Sequence, residues 1–353
     1  MSLASSFHLV SNTTLCRVGI VGFGTVGSAV ARRLTSRDAV RGVTLSHICD
    51  RRAADKQGRL ADAGITWTSA IEDLLRSDVD VIVETVGGVD PAAGWIRDAL
   101  LAGKSVVTAN KQVVARHGAA LLTLAARQGR QLRFEAAVGG AMPIVRAIGE
   151  GLAGDRIVRL IAILNGTTNA VLSQMEASGC SLETAVRDAQ SRGYAEADPS
   201  ADLDGEDARA KLSILCALAF GLRVDPASIA VRSSSSIGAV EFAQARRRGA
   251  TIRQIAHAEF DYTSRELTAW VAPVEVDGGS IFAKATGPQN AALITGAHSG
   301  EIGIFGAGAG GDATAVAILG DIRAIARDKA AIVPAPMLNS QFTILNSFLA
   351  EAS

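Results

Sequence analysis

Residues Gly193 to Lys211, GYAEADPSADLDGEDARAK, pack six carboxylates and a lysine into one short stretch. Asp207 and Lys211 stand four apart, so on a helix they share a face and can pair. Leu212, Ile214 and Leu215 follow, so that face should be the buried one. A lysine held beside carboxylates in a cleft is a candidate proton donor. Desolvation lowers its pKa and the carboxylates raise it. The same residues admit plainer readings. Asp204 could cap the helix with Asp207 as its N3 partner, and the i,i+4 pair could be an exposed ion pair worth little. A calcium loop does not fit, because the glycine sits too late and no bidentate glutamate follows.

A second segment, Gly22-Phe23-Gly24-Thr25-Val26-Gly27, fits G-x-G-x-x-G. It follows an apolar run and opens a helical pattern, which is the context that turn requires. Gly22 allows the tight turn, Gly24 lets backbone approach a pyrophosphate, and Gly27 permits close packing of helix on strand. Thr25 and Val26 begin the helix whose N-terminus faces the anion. Asp50, at the end of the next strand, is placed to hold an adenosine ribose, which favours NAD. Arg51 and Arg52 could hold a 2′-phosphate, which favours NADP, or could simply form a solvated turn. Both cofactors stay open.

The elements that must position these groups alternate. Arg17–Val21, Val43–Cys49, Val79–Val83, Ser105–Thr108 and Leu132–Val138 read as buried strands, with helical patterns at 25–34, 92–102 and 113–128 between them. That rhythm implies a parallel sheet covered by helices on both faces. After about Pro143 it changes. A strand at Arg159–Leu164 precedes helices near 168–177 and 182–192, the acidic loop, and an apolar helix from Gly205 to Phe220 that ends at Gly221. Residues 252–305 hold further strand-like runs, including 267–274 and 301–305. A glycine-rich stretch, 306–311, leads into a helix at 314–327. The expected class is α/β, with a dinucleotide-binding domain and a second α+β domain on a mixed sheet.

Composition excludes several classes. The 35 basic residues equal the 35 acidic ones, which gives no electrostatic basis for binding nucleic acid or an anionic membrane. No apolar run approaches the ~20 residues of a spanning helix. Residues 1–14 lack a basic start and an apolar core, so they read as a disordered tail, not a signal peptide. The four cysteines lack metal-ligand spacing and read as reduced thiols of a cytoplasmic protein. The five histidines include no HExxH, so a catalytic zinc is not expected. A cysteine-based semialdehyde dehydrogenase would need a thiol with a histidine base. Cys16 and Cys49 fall in strands, and neither Cys180 nor Cys216 has an obvious histidine partner.

Six blocks in order, VGIVGFGTVG, VIVETVGG, VVTANK, FEAAVGGAMP, ILNGTTN and GAGAGGDATAVAILGDI, together with the acidic loop, make the chain resemble the homoserine dehydrogenase family over about residues 16–329. The resemblance implies reversible hydride transfer between L-homoserine and aspartate 4-semialdehyde, in the biosynthesis of threonine, methionine and isoleucine. It implies Lys211 as proton donor and acceptor with Asp207 beside it, and Lys111 near the nicotinamide. Glu196 and Asp202 would orient the homoserine amino and hydroxyl groups, with Tyr194, Gly166 and Thr167 lining the same pocket. Thr85 would join the nucleotide site. Carbonyls around Glu135, Val138, Gly140 and Met142 would bind Na+. A homodimer or homotetramer is expected.

The implied layout is a Rossmann domain at 1–148, a substrate and dimerisation domain at 149–306, and C-terminal helices at 307–353 returning to the Rossmann domain. Ala197 stands where the family has proline, and Asp312 where it is often apolar or proline. No regulatory domain of the ACT type and no fused kinase is expected. The rival of another class is an inactive NAD(P)-binding sensor, against which the intact set Glu196, Asp202, Asp207 and Lys211 speaks.

Overall fold

Short β-branched runs build the first sheet of this computed structural model, which describes residues 15–36, 39, 41–60, 64–329 and 341–345. Its strands are β1 (Cys16–Val21), β2 (Val43–Cys49), β3 (Thr66–Thr68), β4 (Val81–Glu84), β5 (Ser105–Thr108) and β6 (Leu132–Arg133). All neighbours are parallel and the order is β3-β2-β1-β4-β5-β6. Every residue of β4 and β5 is buried, as expected of a parallel sheet covered on both faces. The strand order reverses between β1 and β4, and the crevice at their carboxyl ends is where such sheets take ligands. The expected segment at 1–14 lies outside the described residues.

The second sheet contains β7 (Ile157–Ile163), β8 (Ala230–Val231), β9 (Ala250–Asp261), β10 (Glu266–Asp277), β11 (Gln289–Gly296), β12 (Gly300–Ala307) and β13 (Thr343–Leu345). Its order is β12-β11-β7-β9-β10-β13, with β8 also on β10. The hairpins β9–β10 and β11–β12 are antiparallel, and β8 and β13 run parallel to β10. The sheet is mixed, as expected.

The longer helices are α1 (Thr25–Leu34), α2 (Ala92–Leu101), α3 (Lys111–Arg127), α4 (Gly166–Ser178), α5 (Leu182–Ser191), α6 (Glu206–Phe220), α7 (Ala239–Arg247) and α8 (Gly311–Arg327). Helix α6 packs on β7 and β9 of the second sheet and on α3 of the first unit. Helix α8 crosses back to α1. There Ala315, Ile318, Ile322 and Ile325 complete a core with Phe23, Val30, Leu34 and Val83.

Three expectations differ from the structure. The strand read at 132–138 pairs only at Leu132–Arg133. The chain then curls into a short helical turn at Glu135–Ala137, because the Glu135 N–H donates to Asp321 Oδ2 at 3.0 Å and its carboxylate accepts from the N–H groups of Val145 and Arg146. The strand β3 is additional; its three residues are too few to show a period. C-terminal helices return only in part. Helix α8 reaches the first unit, but Thr343–Leu345 form a strand on the second sheet, and 330–340 and 346–353 lie outside the described residues. No helix among the described residues is long and apolar enough to cross a membrane.

Ile322 is fully buried between α8 and the first sheet. Ile322→Ala should cost about 2–4 kcal/mol, read as a lower midpoint in urea unfolding with an unchanged slope.

Candidate active site

The glycine turn follows β1. Gly22 has φ +93°, where a side chain is disfavoured. A Cβ on Gly27 would lie 2.0 Å from the Gly22 carbonyl oxygen, so only glycine lets α1 start this close to the strand. A Cβ on Gly24 would meet nothing within 4 Å, which leaves open space beside the helix N-terminus. Thr85 holds the turn from the next strand: its Oγ1 donates to the carbonyls of Val21 at 3.1 Å and Gly22 at 3.0 Å. Thr25 and Val26 are the first residues of α1.

Asp50 lies beside this turn, but its carboxylate is already engaged. Oδ2 accepts from the Phe23 N–H at 2.8 Å and from Lys56 Nζ at 2.7 Å, and Oδ1 accepts from the Arg52 N–H at 2.9 Å. Burial pushes this carboxyl up, yet the Lys56 ammonium and the two N–H groups outweigh it and hold Asp50 below the usual range. Lys56 is itself buried and also donates to the Phe23 carbonyl at 3.1 Å. Sequence reasoning did not single it out, because a lysine six residues after the acid carries no motif. Arg51 and Arg52 are exposed.

Across the crevice stands Asp207, buried near the start of α6. Asp207 Oδ2 accepts from Lys211 Nζ at 2.8 Å, one helical turn on. Its other oxygen pairs with Lys111, which opens α3 in the first unit. Burial raises the Asp207 pKa, but the two ammonium groups dominate and hold it well below the carboxylate range. Burial lowers that of Lys111, but Asp207, Asp202 and Glu196 raise it further, so the lysine stays charged. Lys211 Nζ also donates to the Leu164 carbonyl at 2.8 Å, at the end of β7. The helix face carrying the pair is buried, as the sequence implied. The plainer reading of Asp204 as cap does not hold. Gly205, at φ +80°, occupies the cap position, and Asp204 accepts from Ser233 Oγ at 2.6 Å.

Asn165 ties these acids together and was not singled out from sequence. Its Nδ2 donates to Asp202 Oδ1 at 2.6 Å and Asp207 Oδ2 at 2.9 Å, while its Oδ1 caps α4 by accepting from the Thr168 N–H. An asparagine just before Gly-Thr-Thr is a helix-cap signal that could have marked it. Burial raises the Asp202 pKa above the usual value, and the neighbouring Asp207 charge adds to this; the Asn165 hydrogen bond and the two lysines oppose it only in part.

Lys111, Asp207, Asp202 and Glu196 line one cavity of about 430 Å³, with Arg116 and Arg209 on its walls. Gly166 and Thr167 are buried at the start of α4. Thr167 Oγ1 donates to the Tyr194 carbonyl at 2.7 Å. Tyr194 lines a second cavity, together with Asp188, Arg192 and Arg253.

Glu135, Val138, Gly140 and Met142 fall on the curl after β6. The Glu135 carbonyl accepts from Val138 and Gly139, and that of Met142 from Ile144. Among the described residues, no backbone N–H donates to the carbonyls of Val138 or Gly140, and no group of three or more His, Cys, Asp or Glu could hold a metal. The Glu135 carboxyl is pushed up to about 7 by burial and the Asp321 charge. Burial also pushes Cys16 and Cys49 to about 11 and Cys216 to about 12, so none of these is a reactive thiolate.

A doubly wound parallel sheet, an open glycine turn at its switch point and a lysine–carboxylate cluster facing it define an NAD(P)-dependent dehydrogenase. Comparison with known proteins makes this particular. The family model for homoserine dehydrogenase matches residues 143–322, and that for the homoserine dehydrogenase NAD-binding domain matches 22–135. The chain is 36% identical over 327 residues to the homoserine dehydrogenase of Corynebacterium glutamicum, covering 88% of this chain and 72% of that protein. A crystal structure of a homoserine dehydrogenase from Thiobacillus denitrificans superposes with a TM-score of 0.85 at 31% identity, over 94% of this chain and 79% of that one. A hyperthermophilic archaeal homoserine dehydrogenase in complex with NADPH superposes at 0.73 with 27% identity, over 89% and 98%. The chain belongs to the homoserine dehydrogenase family. It is an NAD(P)-dependent oxidoreductase of amino-acid biosynthesis, acting on homoserine and aspartate semialdehyde.

Asn165→Ala should release both acids and uncap α4. The expected outcome is a KM for homoserine raised roughly tenfold or more, with about 1 kcal/mol lost in stability, read by steady-state kinetics and urea unfolding.

Proposed function

We propose that Lys211 gives the proton to the substrate oxygen during aldehyde reduction and takes it back during alcohol oxidation. The observation that carries this is the buried Asp207 carboxylate holding Lys211 from its own helix and Lys111 from the nucleotide-binding unit. The carbonyl carbon of aspartate semialdehyde gains negative charge on its oxygen as hydride arrives, and a fixed cation lowers the energy of that state. When bound, the nicotinamide supplies or removes the hydride. Two of the three Lys211 donors point to Asp207 and to the Leu164 carbonyl, which leaves the third for the substrate oxygen.

Glu196 and Asp202 take the homoserine ammonium and hydroxyl, since a zwitterion needs anionic partners on the same wall. Thr167 acts through the Tyr194 carbonyl, which fixes the loop carrying Glu196, and Gly166 gives that helix start its close packing. Lys111 sits between the acids and the nicotinamide side and keeps Asp207 ionised.

For the cofactor, Gly22, Gly24, Thr25, Val26, Gly27 and Thr85 form the pyrophosphate turn. We favour NADP(H): the Asp50 carboxylate is consumed by Phe23, Arg52 and Lys56, while Arg51 stays exposed beside it. The carbonyls of Glu135, Val138, Gly140 and Met142 suit Na+, because an all-oxygen set in which, among the described residues, the Val138 and Gly140 carbonyls accept from no backbone N–H fits a hard cation. The ion would fix the curl that joins the two units.

We further propose residues 1–148 as the nucleotide-binding domain, 149–306 as the substrate and dimerisation domain, and 307–353 as the returning segment, in a cytoplasmic homodimer or homotetramer. Phe305, 69% exposed on the edge strand β12, supports association through the second sheet.

Lys211→Ala should lower kcat by about 10²–10⁴-fold, with NADPH binding by fluorescence unchanged; near-normal turnover would sink the assignment. Homoserine-dependent reduction followed at 340 nm should give a higher kcat/KM with NADP than with NAD. Asp202 must be ionised to hold the substrate and its pKa is raised. KM for homoserine should therefore climb as pH falls, at a pH above that of a free aspartate, and Asp202→Asn should remove this limb from the pH profile.

A further inference from the structure

A second cavity, of about 600 Å³, lies behind the substrate loop and is not used by the chemistry above. Its walls come from α4, α5 and the loop after it, α7, the start of β9, and residues 283–287. Three arginines reach it, Arg192, Arg246 and Arg253, against two carboxylates, Glu176 and Asp188. Arg253 is the unusual member. Only 1% of its side chain is exposed. Its Nη2 meets Glu176 Oε2 at 2.8 Å and donates to the Ala283 carbonyl at 3.3 Å, and Nη1 donates to Thr251 Oγ1 at 3.1 Å and the Ile252 carbonyl at 2.9 Å. Its buried Nε has no acceptor among the described residues. A buried charged group with an unmet donor is costly, and such groups are normally satisfied by a partner, a water or a ligand.

The other two arginines are lightly held. Arg246 Nη2 donates to the Glu176 main-chain carbonyl at 3.0 Å. Arg192 pairs with Asp188 at 3.0 Å while remaining 57% exposed, an ion pair worth little in water. Net charge in the cavity is positive, and alanines fill the space between the charges. Guanidinium groups favour oxyanions because their planar donors match two oxygens at once.

The cavity also shares parts with the substrate site. Tyr194 lines it, and the Tyr194 carbonyl accepts from Thr167, at the opposite end of the helix that carries Glu176. Glu196 follows two residues later. We propose that this cavity is an effector site for a small oxyanion, a dicarboxylate or a phosphate, held by Arg192, Arg246 and Arg253. Its occupancy sets the position of the Tyr194–Glu196 loop and so the affinity for homoserine. The coupling half rests on Glu196 binding substrate; the binding half does not.

The test measures binding and kinetics separately. Succinate and inorganic phosphate are titrated by calorimetry into the wild-type chain saturated with NADPH, at constant ionic strength with chloride as control. The same titrations are made into Arg246→Gln and Arg192→Gln, with circular dichroism to check folding. At least one probe should bind the wild type, and each variant should bind it about tenfold more weakly or worse. Whether succinate or phosphate binds tells which oxyanion the site takes. In assays with saturating NADP+ in place of NADPH, at the same ionic strength, the probe should change the homoserine KM at least twofold without competing with homoserine, and Arg246→Gln should abolish that change while keeping the basal kcat. No heat with either probe, or equal affinity in wild type and variants, overturns the site. Binding lost in the variants with KM unmoved in the wild type keeps the site and overturns the coupling.

Discussion

One buried carboxylate sets the geometry of the crevice. Asp207 sits out of water and would be neutral if left alone, since burial without a partner favours the protonated form. It stays ionised because two lysines meet it, one from each structural unit. The converse also holds: Lys111 opens a helix, where a positive charge faces the positive end of the backbone dipoles. Asp207 offsets that arrangement. Each charge is tolerable only while the other unit is in place, so this triad registers the two sheets against each other.

Around that triad the structure spends its polar groups with little redundancy. Asn165 serves Asp202, Asp207 and a helix end with one amide. Thr167 ties the first turn of α4 to the loop bearing Glu196. On the other wall, Thr85 and Lys56 each close a gap in the glycine turn. The glycine-rich segment before α8 passes three places in this crevice. A Cβ on Gly140 would lie 2.7 Å from the Gly308 carbonyl oxygen, one on Gly166 would lie 3.5 Å from the Gly308 carbonyl carbon, and one on Gly311 would lie 3.0 Å from the Thr25 methyl. One backbone run thus passes the curl after β6, the start of α4 and the glycine turn in succession.

Much of this was legible in the sequence where a period or a motif carried it. Apolar runs placed β1, β2, β4 and β5, and the i,i+4 spacing placed Asp207 and Lys211 on one buried face. What escaped depended on tertiary hydrogen bonding. The end of the strand expected at 132–138 instead curls, because Glu135 bonds to Asp321 on a distant helix and to the N–H groups of Val145 and Arg146. The engagement of Asp50 by Lys56 was not legible, because Lys56 belongs to no pattern. Asn165 lay inside a block that was noticed, yet its double donation to acids some forty residues away has no local sign. That Tyr194 also lines a second cavity has no sign in the motif that carries it.

The return of α8 bears on the order in which the chain acquires structure during synthesis. The first sheet is encoded before residue 134, but its covering layer needs Ile318, Ile322 and Ile325. A ribosome delivering residues from the N-terminus therefore exposes one apolar face of the nucleotide-binding unit until nearly the whole described chain has emerged. The second sheet, with β7 to β12 contiguous between residues 157 and 307, has no such dependence on α8. Chains that fold as they are made expose unpaired apolar surface to aggregation, and here that interval is set by the distance between α1 and α8 along the sequence.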